Sequence, residues 1–183
     1  TCTRKRVGPR RPNTNRVRAR PIERARSRCH RGRLTDMRRT IQARLDAPAN
    51  RVFATLADLA TYAQWLDIVR LATPAEPHEL DGGPAWFVTL RARVGPLARS
   101  KRLRMVRTIN EAPSALRFER AEIDGRDHSP WILDATITGD APCALEMHLA
   151  YEGRLWTAPL GAILGSEADD AVPRLQALVE AAE

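Results

Sequence analysis

The chain has 183 residues, 43% of them hydrophobic and 28% charged, with a formal net charge of +8 and three cysteines. That length suits one domain with a substantial core. No run approaches the ~20 apolar residues of a membrane span, no apolar segment of signal-peptide type stands near the start, and Cys2, Cys29 and Cys143 share no metal-type spacing. The expectation is a reducing, cytoplasmic setting with no disulfide, metal or cofactor.

The charge is unevenly spread. Residues 1–36 carry 13 of the 30 Lys/Arg and two of the 22 acids, a net of +11, which leaves 17 basic and 20 acidic side chains, a net of −3, for the rest. A nucleic-acid partner therefore rests on this tail alone and is not expected of the domain. The tail lacks apolar periodicity, so it is expected to be disordered. It reads as an arginine-rich arm, as a targeting segment, or as upstream sequence translated in frame with the start at Met37. The last is favoured, because Met37 falls directly before the first strand signal and GC-rich DNA tends to yield such an Arg/Pro/Ala bias.

The elements follow in chain order. From Thr40, TIQARLDA alternates, with Ile41, Ala43 and Leu45 on one face: a half-buried strand. Pro48 suits the first position of a helix whose stripe is Val52, Phe53, Leu56 and Leu59. Asp58 caps a second short helix with Leu59, Tyr62 and Leu66 on one stripe and Trp65 beside them. These aromatics either wedge a helix corner into the core or stand at a cavity mouth.

Asp81-Gly82-Gly83-Pro84 is a turn. Beyond it Trp86, Val88 and Leu90 share one strand face, and Leu103, Met105, Arg107 and Ile109 share another. After the turn at Glu111–Ser114, Leu116 and Phe118 share a face with Arg120. Two more strands present Trp131, Leu133, Ala135 and Ile137, then Leu145, Met147, Leu149 and Tyr151. Short strands at this spacing form an antiparallel meander. From about Pro159 to the end, apolar residues at steps of three and four predict a long helix of roughly 37 Å. Pro173 would kink it, and Gly161 and Gly165 leave room beneath its first half. The fold class is α+β: a curved antiparallel sheet of about six or seven strands, two short helices, and a C-terminal helix over a hydrophobic cavity.

Three stretches carry a family resemblance: ARLDAPANRVFATLADLATYAQWL, then SPWILDATI with LEMHLAYEGRLW, and VPRLQALVEAAE. With this order of elements, the chain from Arg38 to Glu183 resembles the helix-grip or START-like superfamily (SRPBCC) of lipid-transfer domains, birch-pollen-type allergens, and polyketide cyclase/dehydrase and lipid-transport proteins. The resemblance implies a cavity for a hydrophobic small molecule, lipid or polyketide-like. It implies no particular reaction and supplies no catalytic residue.

The expected lining is therefore the inward parity of the strands. Trp86, Val88, Leu103, Met105, Arg107 and Phe118 come from the earlier strands, and Trp131, Leu133, Met147, Leu149 and Tyr151 from the later ones. Trp156 and Leu164 follow in and before the last helix. Arg107 and Arg120 are costly among apolar neighbours unless paired or reaching water; the other reading is that one holds a ligand carboxylate, enolate or phosphate. His78 and His148 read as surface residues, while His128, with Asp127 and Ser129, stands near the start of a strand and the pocket rim. No nucleophile motif is present. The leading expectation is a carrier, with Arg107 and Tyr151 orienting the guest. The alternative is a cyclase or aromatase in which Arg107, Tyr151 or His128 polarises a carbonyl or moves a proton.

Overall fold

In the computed structural model the described residues are 36–94, 97–153 and 170–181. Seven strands form one sheet: β1 Asp36–Leu45, β2 Val69–Ala75, β3 Ala85–Val94, β4 Leu97–Glu111, β5 Ala115–Arg120, β6 Trp131–Gly139 and β7 Cys143–Glu152. The spatial order is β1-β7-β6-β5-β4-β3-β2, and every neighbouring pair is antiparallel. The meander β2–β7 is sequential; β1 returns to pair with β7 at the far edge. Helix α1, Ala49–Leu56, and a 3₁₀ helix, Leu59–Gln64, join the two edge strands. Residues 170–181 form helix α2. This is the helix-grip α+β fold. No described helix is long and apolar enough to cross a membrane.

The inward face is built by alternation. Trp86, Val88 and Leu90, then Leu103 and Met105, Leu116 and Phe118, Ala135 and Ile137, and Leu145 and Met147 are all buried in one core, with Leu133 and Leu149 partly so. Helix α1 adds Val52, Phe53 and Leu56, each contributing on the order of 2 kcal/mol by burial. Ala171, Leu175 and Val179 of α2 join the same core at steps of four. Two contacts tie α2 to the sheet's connections: the Asp46 N–H donates to Gln176 Oε1 at 3.0 Å, and Arg174 pairs with Asp67 at 2.7 Å.

Several sequence expectations shift. Strand β1 begins at Asp36, four residues before Thr40, because the ladder with β7 runs from Asp36↔Glu152 to Leu45↔Cys143. Pro48 is the N-cap of α1 rather than its first residue. Strand β2 has no counterpart in the sequence reading. It is an edge strand with a bulge between Val69 and Leu71, and it tolerates Pro74 because an edge proline breaks no central ladder bond.

The second helix is 3₁₀, so residues three apart eclipse. Leu59, Tyr62 and Trp65 therefore form one buried column, and Leu66 packs at its side. Asp58 caps it as expected, accepting from the Ala60 N–H at 2.9 Å. Asp58 Oδ1 also accepts from Trp86 Nε1 at 2.9 Å, which locks the corner onto β3. The turn at Asp81–Pro84 brings backbone against backbone: a Cβ on Gly83 would stand 2.5 Å from the Arg107 carbonyl oxygen. All of the expected tail before Asp36, together with Trp156, Leu164 and the first half of the last helix, lies outside the described residues.

Candidate functional site

Between the sheet and the 3₁₀ corner lies a partly enclosed cavity of about 80 Å³. Strands supply Val88 and Leu90 from β3, Leu103 and Met105 from β4, Trp131 and Leu133 from β6, and Leu149 from β7. The corner supplies Leu59, Tyr62 and Leu66, and Ile68 with Val69 at the start of β2 adds two more.

The walls offer almost no polar chemistry. The Tyr62 hydroxyl is buried and donates to the Leu56 carbonyl at 3.1 Å. Burial, with the Asp58 charge adding to it, pushes that phenol far above its ordinary range, so it does not ionise in the folded protein. Among the described residues no group of three or more His, Cys, Asp or Glu is placed to hold a metal.

Six of the residues expected from strand parity line the void: Val88, Leu103, Met105, Trp131, Leu133 and Leu149. Trp86, Phe118, Met147 and Tyr151 are buried in the surrounding core instead. Trp86 packs edge-on to Phe118 at 5.7 Å, and Tyr151 tilts against Trp131 at 4.8 Å. Gly153 makes that last position tight, since a Cβ there would overlap the Tyr151 hydroxyl. Leu90 shares the parity of Val88 and was legible on that ground. Leu59, Tyr62 and Leu66 carry no strand signal and reach the cavity from the 3₁₀ corner, while Ile68 and Val69 come with β2, which alternation did not mark.

The two arginines meet different fates. Arg107 Nη1 donates to the Ala57 carbonyl at the end of α1, at 2.9 Å, and its guanidinium lies 6.0 Å from the centre of the Trp86 ring. A cation at a helix C-terminus is favourable, so Arg107 acts here as a helix clasp and does not line the void. Arg120 pairs with Glu122 through Nε at 2.7 Å and also donates to the Ser129 carbonyl. Its Nη2 lies 3.1 Å from His128 Nδ1, and His128 Nε2 lies 2.9 Å from Asp124 Oδ1. His148 and His78 are exposed; His148 bonds Thr40 and Glu146.

Parity did not single out Arg104. It points away from the cavity, yet is only 1% exposed. Its Nη1 and Nη2 grip Asp81 at 2.8 and 2.6 Å, with further bonds to the Ala121 and Glu76 carbonyls. The paired guanidinium holds the Asp81 carboxyl at about 2, below its usual 3.8. This ion pair staples the β2–β3 loop over the outer face of β4.

No protein-family model and no curated protein sequence matches the chain. Solved structures do. A protein of Thermus thermophilus aligns over 80% of this chain and 99% of its own, at 15% identity and TM-score 0.61. A START superfamily protein from Mycobacterium smegmatis aligns over 81% and 99%, at 15% identity and TM-score 0.58. The Zhui aromatase/cyclase of a Streptomyces species aligns over 79% and 94%, at 14% identity and TM-score 0.56. At such identities the likeness is one of fold: the chain has the START-like, SRPBCC-type helix-grip fold.

Proposed function

We propose that the protein binds a compact apolar small molecule in the cavity between sheet and 3₁₀ corner. The observation that carries this reading is the lining: the twelve described residues are all aliphatic, aromatic or thioether, and their one hydroxyl is already spent on the Leu56 carbonyl. A reaction on a carbonyl or enolate needs a proton donor or acceptor within reach of the substrate, and among the described residues that line the void no side chain offers a free one. Binding without chemistry needs only apolar burial, worth ~25 cal/mol per Å². At about 80 Å³ the void is smaller than the ~300–1,000 Å³ of sites that enclose drug-sized ligands. The guest that fits is a short alkyl chain or a single ring, the remainder of a larger lipid or polyketide-like molecule staying outside.

Titration calorimetry with 1-octanol tests this. The expected result is saturable binding that a cavity-filling Val88→Phe variant weakens at least tenfold. Equal heats from both proteins would remove the cavity as the site.

A further inference from the structure

The inner face of β4 carries a cation that the cavity's apolar walls do not explain. Lys101 has the parity of Leu103, is only half-buried, and opposes Leu90 across the β3–β4 ladder. Its ammonium lies 5.0 Å from the centre of the Tyr151 ring and 5.8 Å from that of Trp131. Leu90, Leu103 and Trp131 all line the cavity, so three of its nearest neighbours are cavity wall. Among the described residues no carboxylate contacts this ammonium; the nearby Glu122 is committed to Arg120.

Arg120 reinforces the asymmetry. It opposes Met105, another lining residue, across the β4–β5 ladder, and its side chain is 7% exposed. Its Nε, one Nη1 and one Nη2 are engaged by Glu122, Ser129 and His128, which, counting only contacts among the described residues, leaves two of its five N–H groups to offer. Burial and the Arg120 charge both pull the Lys101 ammonium below its ordinary range, against a smaller opposing pull from Glu122. A cation in that position gains from an arriving anion what its surroundings withhold.

We propose that Lys101, seconded by Arg120, reads the anionic head of the guest, so that the ligand class is an amphipathic carboxylate with its apolar body in the cavity. This inference rests on the cavity reading above. Tyr151 and Trp131 hold the ammonium over their faces, and a carboxylate reaching out of the void past Trp131 meets it with a charge-assisted hydrogen bond.

The test compares octanoate with 1-octanol, equal in chain length and different in head, by calorimetry on the full chain and on Lys101→Met and Lys101→Arg. The expected result is octanoate binding about tenfold tighter than octanol. Lys101→Met should bring octanoate to the octanol level or below while octanol changes less than twofold, and Lys101→Arg should keep most of the preference. Octanol binding with octanoate no tighter overturns the inference and leaves the cavity reading standing. A preference that survives in Lys101→Met overturns the role of Lys101. Binding of neither compound overturns the cavity reading and this inference with it.

Discussion

The two faces of β4 are buried for opposite reasons. Inward, Leu103 and Met105 border a void kept open by apolar walls. Outward, Arg104 and Val106 are as deeply buried as Leu103, but Arg104 is held by a two-pronged ion pair with Asp81 and by two loop carbonyls. One face tolerates empty space, which costs only contacts not made. The other tolerates none, since a charge out of water is stable only while every partner stays in place. Sites for guests belong on the first kind of face and loop anchors on the second.

That contrast is broken most severely at the anchor. Asp81→Ala strands Arg104 and is expected to cost about 3–5 kcal/mol, read as a lowered urea midpoint, while 1-octanol affinity stays within twofold. A loss of affinity equal to the loss of stability would mean that the two faces are not independent. Leu103→Ala, on the other face and one residue away, is expected to cost about 2–5 kcal/mol by enlarging the void, with bulkier alcohols gaining affinity over octanol in calorimetry.

The acid limb sharpens the comparison at smaller scale. Because the folded-state carboxyl of Asp81 sits at about 2 against 3.8 ordinarily, its contribution is complete above about pH 5 and disappears as pH falls through 2. It amounts to about 2 kcal/mol at ~1.36 kcal/mol per pH unit. Urea melts between pH 5 and 2 should show this slope in the parent and a flatter one in Asp81→Asn. Smallest of all, Val88→Phe should leave stability within about 1 kcal/mol, since the added volume enters existing space, even as it removes octanol binding.

Most strand faces were legible because their inward residues repeat every second position, as at Trp86, Val88 and Leu90 or Leu145 and Met147. The rule failed where burial comes from something other than alternation. In β2 the bulge and Pro74 break the pattern, leaving buried positions at Val69 and Ala72, three apart. Arg104 sits at a position that alternation assigns to solvent, and only the covering loop brings Asp81 to it. Six of the twelve described lining residues followed from strand parity; of the others, Leu90 shares that parity, three come from the corner, and Ile68 and Val69 come from the start of β2.

Local pattern was enough to place the half-buried strands, the capped helix start at Asp58, and the order of elements that makes a helix-grip sheet, because each depends on near neighbours in the chain. Which inward residues border empty space and which touch, and which cations find a partner, depended on elements far apart in sequence. Leu59 and Leu149 are 90 positions apart, as are Arg104 and Asp81 by 23, and their meeting is decided by long-range packing that no local period encodes.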